Sequence, residues 1–251
     1  MGKSIGMRSR SSLTKGEPGR RLRLAAFSPR TATKRLRRSL RRRGVVGTMR
    51  LVAWHAAEPV RAVVLARNER RFDEFYGTDT WGTRPRDNSI RGDSVGYGAI
   101  QPDRFTRLLA HLPAAPAGLT FVDLGCGKGK ALVLAAEAGF NKCIGVELNP
   151  ELAAVARNNL AVRAIEGEVV EGDAGDFVFP DEPLLVFLFN PFGADTLGVV
   201  LEALRRSVAA SPRTLFVGYV NPIHRALMEA SNFLVAIAEG EHWVLLRAVQ
   251  P

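Results

Sequence analysis

Ten residues constrain this chain more than any others: Phe121-Val122-Asp123-Leu124-Gly125-Cys126-Gly127-Lys128-Gly129-Lys130. A short apolar run ends in a carboxylate, opens into three glycines at alternate positions, and then passes into a helical pattern. A strand-to-helix turn of this kind is what a nucleoside-cofactor site needs. Glycines permit the tight bend and let backbone N–H groups approach a ligand with no Cβ in the way. The spacing speaks to the kind of cofactor. A dinucleotide fingerprint reads G-x-G-x-x-G, with the pyrophosphate on the helix N-terminus. Here the third glycine comes one residue early, and position 130 is Lys. Asp123, two residues before the first glycine, suits a cationic or ammonium-bearing ligand better than a pyrophosphate. A glycine turn can also be purely structural, so the rest of the chain has to decide.

With 251 residues and 46% hydrophobic content, the chain can bury a full core. It suits one sizeable α/β domain with an extension. The net charge of +10 is unevenly placed. Residues 1–50 hold sixteen Lys/Arg against Glu17 alone, about +15, which leaves the remainder at about −5. We therefore expect a basic, disordered tail over 1–48, a helical extension with a lid loop over 49–115, and a cofactor-binding domain over 116–251. The tail admits three readings: a solvated segment, a contact for nucleic acid or another polyanion through residues 1–50, or a targeting sequence. Being Arg-rich, Ser-bearing and acid-poor, it is also transit-peptide-like, and Met7 and Met49 are alternative starts. The opening Met1-Gly2 fails as a myristoylation signal because Gly6 stands where Ser or Thr is required.

Only Cys126 and Cys143 occur, too few for a disulfide-built secreted protein. A reduced, cytoplasmic setting is the expectation. The four histidines are scattered with no H-x-x-x-H pair, so no metal is expected. No apolar stretch approaches the roughly 20 residues that cross a bilayer, so no membrane partner is expected.

From Thr120 onward the pattern alternates. Apolar runs at 120–124, 142–146, 167–171, 184–189, 213–220, 232–238 and 242–249 read as strands. Helical patterns at 129–138, 150–162, 194–209 and 222–230 separate the earlier ones. Asn149-Pro150-Glu151 is a good helix start, with Asn as N-cap, Pro at the first position and Glu in the first turn. The alternation predicts a doubly wound, seven-stranded, mostly parallel sheet. The last two runs, joined by Glu239-Gly240-Glu241, form a hairpin-like pair with an antiparallel last strand. Upstream, apolar residues that include Val60, Val63, Val64, Leu65 and Phe72 recur loosely at helical spacing from about Lys34 to Phe75, and Gly44 and Gly47 break this into a basic segment and a later amphipathic helix; a long ordered loop is expected over 77–100, and a helix from Pro102 to His111.

The D-x-G-x-G-x-G element at Asp123–Gly129 resembles the first motif of the class I S-adenosylmethionine-dependent methyltransferases, and an antiparallel strand at the end of an otherwise parallel sheet is similar to their Rossmann-like fold. Glu147 lies at the end of the second strand, 18 residues beyond Gly129. In an open α/β sheet the ligand crevice lies beyond the carboxyl ends of the strands, and a carboxylate there can accept both ribose hydroxyl protons of an adenosine. Asp123 would act at the methionine ammonium, directly or through water, or cap the glycine turn. The resemblance places Gly125, Cys126, Gly127, Gly129 and Leu148 along the cofactor. It puts Asp173 on the adenine amino group, with Ala174 leaving room for the ring; an Asx-type turn is the alternative for Asp173.

Asn190-Pro191-Phe192, at the end of the 184–189 run, resembles the (N/D)-P-P-(F/Y) motif of methyltransferases that act on amine nitrogens, with the second proline missing. Such a nucleophile must present its lone pair to the methyl, so its hydrogens need acceptors on the far side. The Asn190 side chain and the Pro191 carbonyl can supply these, and Phe192 a face; these three are the expected catalytic residues, and Asn190 is also expected among the cofactor-binding ones. Roughly 70–250 is similar to a bacterial group of class I methyltransferases that is distantly related to the non-SET histone lysine methyltransferases. The match rests on Phe75 to Thr80 with Gly82, the glycine turn, Gly145 to Leu148, Leu188 to Phe192, and Tyr219 to Pro222. It makes Tyr76, Asp79 and Thr80 candidates to touch the methionine end from a lid, or else loop anchors, and leaves Tyr97 on the substrate side. The implied activity is S-adenosylmethionine-dependent methyl transfer by in-line displacement to a nitrogen acceptor: protein, nucleic acid or small amine. The alternatives are a non-catalytic cofactor-binding module tethered to nucleic acid by its tail, and a nucleotide-linked oxidoreductase, which the glycine spacing disfavours.

Overall fold

The computed structural model describes residues 40–42, 44–49, 58–86 and 92–249. The chain divides into two units, Met1–Pro59 and Val60–Pro251. In the first, residues 40–42 and 44–49 are helical; of the tail expected over 1–48, residues 1–39 and 43 lie outside the described residues. All that follows concerns the second.

The chain order is α1 (Glu58–Tyr76), β1 (Thr83–Arg84), β2 (Tyr97–Gly98), α2 (Pro102–Leu109), β3 (Thr120–Leu124), α3 (Lys130–Glu137), β4 (Lys142–Glu147), α4 (Pro150–Val162), β5 (Gly167–Glu171), β6 (Leu184–Phe189), α5 (Ala194–Ala210), β7 (Leu215–Val220), α6 (Arg225–Ala230), β8 (Leu234–Gly240) and β9 (Trp243–Ala248). Seven strands form one sheet in the order β5-β4-β3-β6-β7-β9-β8. The four pairings that join β5 through β7 are parallel, whereas β9 runs antiparallel to both of its neighbours, β7 and β8. This is the Rossmann-like arrangement the alternation predicts. The antiparallel strand is inserted next to the edge rather than lying on it.

Side-chain alternation sorts the core onto two faces. Along β6, Leu185 and Phe187 join Phe105, Phe121 and Leu132 on one face. Leu184, Val186 and Leu188 join Val122, Leu201 and Val217 on the other. Both faces are covered by helices, which is why these strands read as unbroken apolar runs. Phe105, Phe121 and Phe187 meet with ring centroids 5.4–5.7 Å apart, tying α2 to the sheet centre. The Asn149 side chain caps α4 as its sequence predicts, accepting from the N–H groups of Glu151 and Leu152.

Upstream of the sheet, α1 buries Phe72 but leaves Val63, Val64 and Leu65 exposed, so its apolar residues are not one core-facing stripe. The expected loop over 77–100 contains a two-residue ladder pairing β1 with β2; residues 87–91 of it lie outside the described residues. The segment 92–101 then crosses the carboxyl ends of the central strands.

Candidate functional site

β3, β4 and β6 end side by side, and β3 and β6 are the neighbours whose outgoing connections run to opposite faces of the sheet. That is the switch point at which open α/β sheets bind ligands. A cavity of about 110 Å³ opens there. It brings together Asp123, Gly125, Cys126, Gly127, Glu147, Leu148, Asp173, Ala174, Asn190, Pro191 and Phe192, from four strand ends separated by up to 69 residues. Gly129 is not in the lining. At φ +79 it is the N-cap of α3 and packs against Ala156.

The glycine turn is tied down from beneath. Gly125 and Cys126 donate their N–H groups to the Val146 carbonyl of β4 at 2.8 and 3.0 Å. The Glu147 carboxylate accepts from Gly127 N at 2.7 Å and from Asn149 N at 2.8 Å. One oxygen serves each bond, so each keeps a lone pair for a ligand. A Cβ at Gly125 would collide with the Pro191 ring, and one at Gly127 with the Tyr97 ring. Both glycines also have φ in the left-handed region. Here a glycine is required twice over, by backbone conformation and by close approach.

Two carboxylates facing one small cavity are costly to ionise together. Asp123 is almost wholly buried, and among the described residues no group hydrogen-bonds to its carboxyl. Burial, and then the neighbouring Glu147, push its pKa up to about 8. Burial also raises Glu147, against the backbone N–H groups of Asn149 and Gly127 that hold its charge. A cationic ligand would relieve this arrangement and a pyrophosphate would aggravate it. Cys126 is kept as a neutral thiol, its pKa raised well above the ordinary value by burial and then by Asp123 and Glu147. Its sulfur fills the space left by the missing side chain of Gly145.

Asp173 takes the Asx role, accepting from Gly175 N at 2.8 Å with its Oδ1 while lining the cavity beside Ala174. Asn190 stands at φ +47 after β6, and its Oδ1 accepts a hydrogen bond from the Tyr219 hydroxyl of β7 at 3.3 Å. The Pro191 carbonyl accepts from Val95 N at 2.8 Å, and Phe192 pairs with Ser94 across an antiparallel bridge and is buried. The Asn190 Oδ1 and the Pro191 carbonyl each already accept one hydrogen bond and keep a second lone pair. Phe192 is buried among the core side chains of one sheet face, so its ring is not the open face expected.

Tyr76, Asp79 and Thr80 are not brought to the cavity, which corrects their placement on the methionine end. Tyr76 packs on Phe72 and Phe75, with the Arg163 guanidinium over its ring. Asp73 holds the following turn, accepting from the Thr78 hydroxyl, from Thr80 through both N–H and hydroxyl, and from Trp81 N. The fully buried Asn159 then bridges that turn to the glycine turn. It accepts from Asp79 N at 2.9 Å and donates to the carbonyls of Asp79 and Lys128 at 3.0 and 2.8 Å. Lys128 returns an ion pair to Asp79 at 2.7 Å. These residues brace the cradle from behind, the loop-anchor alternative.

Segment 92–100 forms the opposite wall, of which only Tyr97, on the substrate side, was expected from the sequence. Asp93 reaches 102 residues along the chain to cap α5, accepting from Asp195 N, Thr196 N and the Thr196 hydroxyl. Burial alone would raise its pKa, but these hydrogen bonds outweigh it and hold the carboxyl below the ordinary value. A lone Asp in a Gly-rich loop carries no local sign of so distant a partner. Among the described residues there is no group of three or more metal-ligating side chains, and no helix is long and apolar enough to cross a membrane.

Residues 121–210 match a family model described as a methyltransferase domain. Over 109 residues, 37% of this chain, the sequence is 26% identical to the ribosomal protein L11 methyltransferase of Vibrio cholerae serotype O1 (strain M66-2). The match spans 37% of that protein's length. Solved structures with similar folds include a TehB-like S-adenosylmethionine-dependent methyltransferase from Corynebacterium glutamicum (15% identity, TM-score 0.44, 61% of this chain and 90% of that one). Another is a predicted N6-adenine-specific DNA methylase from Listeria monocytogenes (15% identity, TM-score 0.47, 63% of this chain and 56% of that one).

Proposed function

We propose that the protein is an S-adenosylmethionine-dependent methyltransferase acting on a nitrogen acceptor. The methyltransferase-domain match over 121–210 supports the class. The observation that carries the cofactor reading is the unpaired, buried Asp123 facing Glu147 across a glycine cradle with no room for a Cβ. S-adenosylmethionine supplies a methyl group already made electrophilic by its sulfonium. Its ammonium would find Asp123, its ribose hydroxyls the free lone pairs of Glu147, and its adenine the Asp173–Ala174 side.

What the chain adds is placement. Asn190 Oδ1 can accept one N–H of an acceptor amine and turn the nitrogen lone pair toward the cradle, with the buried Tyr219 hydroxyl keeping the amide from rotating. Holding the two reactants in line supplies acceleration without a covalent intermediate or an obligatory strong base. A lysine-type acceptor, as the likeness to the non-SET histone lysine methyltransferases would have it, belongs to this proposal, as do nucleic-acid and small-molecule amines.

Calorimetry with S-adenosylhomocysteine tests the cofactor reading, and the absence of binding to the intact chain overturns it. Labelled-methyl transfer into lysate fractions, followed by mass spectrometry of the modified atom, tests the acceptor; modification on oxygen or carbon overturns the nitrogen assignment.

A further inference from the structure

The Gly127 amide is moored differently from its neighbours. Gly125 and Cys126 are held through their N–H groups by the Val146 carbonyl, Gly129 by the Cys126 carbonyl at 2.8 Å, and Lys128 through its own carbonyl by Asn159. Among the described residues, the Gly127 N–H bonds to no backbone carbonyl; it donates to the Glu147 carboxylate, a side chain that itself needs positioning. Gly127 stands at φ +54 between two further glycines at positive φ, a stretch with no intrinsic preference for one shape. Something other than the local backbone has to keep it in place.

The Tyr97 side chain supplies that contact. The Cδ2–Cε2 edge of its ring lies 2.2–2.3 Å from the point a Gly127 Cβ would occupy, so the edge rests against the glycine itself. The ring is held from its far end, where the hydroxyl donates to the Thr80 carbonyl at 2.6 Å. Burial, followed by Asp73, Glu69, Asp79 and Asp123, pushes the phenol pKa well up, so the proton of that bond stays in place. Thr80 is fully buried, and Asp73 of α1 accepts from both its N–H and its hydroxyl, at 2.8 and 2.7 Å. An unbroken series of contacts thus runs from Asp73 through Thr80 and Tyr97 to Gly127 and the Glu147 carboxylate.

We propose that Tyr97 is a positioning residue of the cofactor site, and Asp73 a second one acting through it. The ring edge is a stop that keeps the Gly127 N–H on Glu147, and so keeps that carboxylate ready for the ribose. The proposal rests on S-adenosylmethionine as the cofactor, with Glu147 at its ribose hydroxyls. Neither role requires contact with the ligand. Both residues order the turn and the carboxylate in advance, so that binding does not have to order them.

Calorimetry with S-adenosylhomocysteine and with an analogue of it lacking both ribose hydroxyls separates this role from a general loosening of the fold. In Tyr97→Leu the ring edge and the hydroxyl tie are both lost. Freeing one backbone residue of the turn should weaken S-adenosylhomocysteine about 5- to 30-fold. The analogue, which has nothing to offer Glu147, should weaken by less than about twofold. Equal weakening of both ligands, or no weakening of either, overturns the proposal. Should the leucine variant fold poorly, Tyr97→Phe, Asp73→Ala and the double variant decide. Each single change cuts the same tie and should weaken S-adenosylhomocysteine about 2- to 10-fold, and the double variant should bind as the weaker single variant does. Losses that multiply, or a lower Tm with unchanged affinity, overturn the proposal while leaving the cofactor reading intact. No binding of S-adenosylhomocysteine to the unaltered protein overturns both.

Discussion

Replacing Asp123 by asparagine should make the ligand-free protein more stable, and increasingly so as the pH rises. In the unfolded chain this carboxyl ionises near 3.8, whereas in the native cavity burial and Glu147 push it up to about 8. Below pH 4 it is protonated in both states and has no effect on the balance. Between 4 and 8 the unfolded state loses its proton while the native state keeps it, so native stability falls by about 1.4 kcal/mol per pH unit. Above 8 both states are ionised and the loss is complete. From pH 5 to pH 8 the integrated loss comes to about 3–4 kcal/mol, a large share of the 5–15 kcal/mol typical of a domain. Asparagine has nearly the same shape and no proton to lose.

Urea melts of both proteins at pH 5, 6, 7 and 8 should therefore show the stability difference widening in favour of Asp123→Asn by about that amount. The same carboxyl should release close to one proton at pH 7 when a cationic cofactor binds beside it. The binding enthalpy of the unaltered protein should then depend on the ionisation enthalpy of the buffer, and that of the variant should not. A stability difference that stays constant from pH 5 to 8 refutes the reasoning, because it would mean that the native site holds Asp123 ionised without cost.

The bracing and binding residues carry further expectations. Glu147→Ala removes the ribose acceptor and frees the N–H groups of Gly127 and Asn149, so S-adenosylhomocysteine affinity should drop at least tenfold, about 1.4 kcal/mol or more; affinity within threefold of the parent contradicts the assignment. Asn190→Ala should leave that affinity within about threefold, since no cofactor contact is asked of its amide, and slow methyl transfer by about 100-fold or more in single turnover; equal loss in both measurements would make Asn190 a cofactor residue instead. Asn159→Ala strands three partly buried backbone groups, and chemical denaturation should show a loss of about 1–3 kcal/mol. Asp93→Ala deprives α5 of its distant cap and should cost about 1 kcal/mol, seen as a lower Tm with unchanged secondary structure by circular dichroism.

Much of the architecture was legible because it rests on local rules. The bounds of β3, β5, β6 and α4 follow from apolar runs and from the Asn149-Pro150-Glu151 start, where a cap and a proline act within three residues of each other. The hairpin of β8 and β9 was visible at Glu239-Gly240-Glu241, but not that β9 would slip between β7 and β8, since pairing order is decided by which faces remain to be covered. The glycine turn, Glu147, Asp173 and Asn190 were legible as a set because in an open parallel sheet chemistry collects at strand ends, and strand ends can be read from hydropathy. Their roles at the cofactor and acceptor remain proposals.

Tyr76, Asp79 and Thr80 show where that logic stops. A polar, turn-forming motif announces a network of hydrogen bonds but not its direction, and here the bonds run to Asp73 and Asn159 behind the cradle rather than to the cavity.

By itself, then, the sequence determined the doubly wound sheet, the glycine cradle and the carboxylates at its strand ends, because each depends on residues close together in the chain and on the periodicity of strand and helix. The tertiary structure decided what closes the site: Asp93 on the start of α5, Val95 N–H on the Pro191 carbonyl, and the Tyr97 ring on Gly127. Those contacts join segments about 30 to 100 residues apart, and their geometry depends on how a loop crosses the sheet end, for which no local periodicity exists.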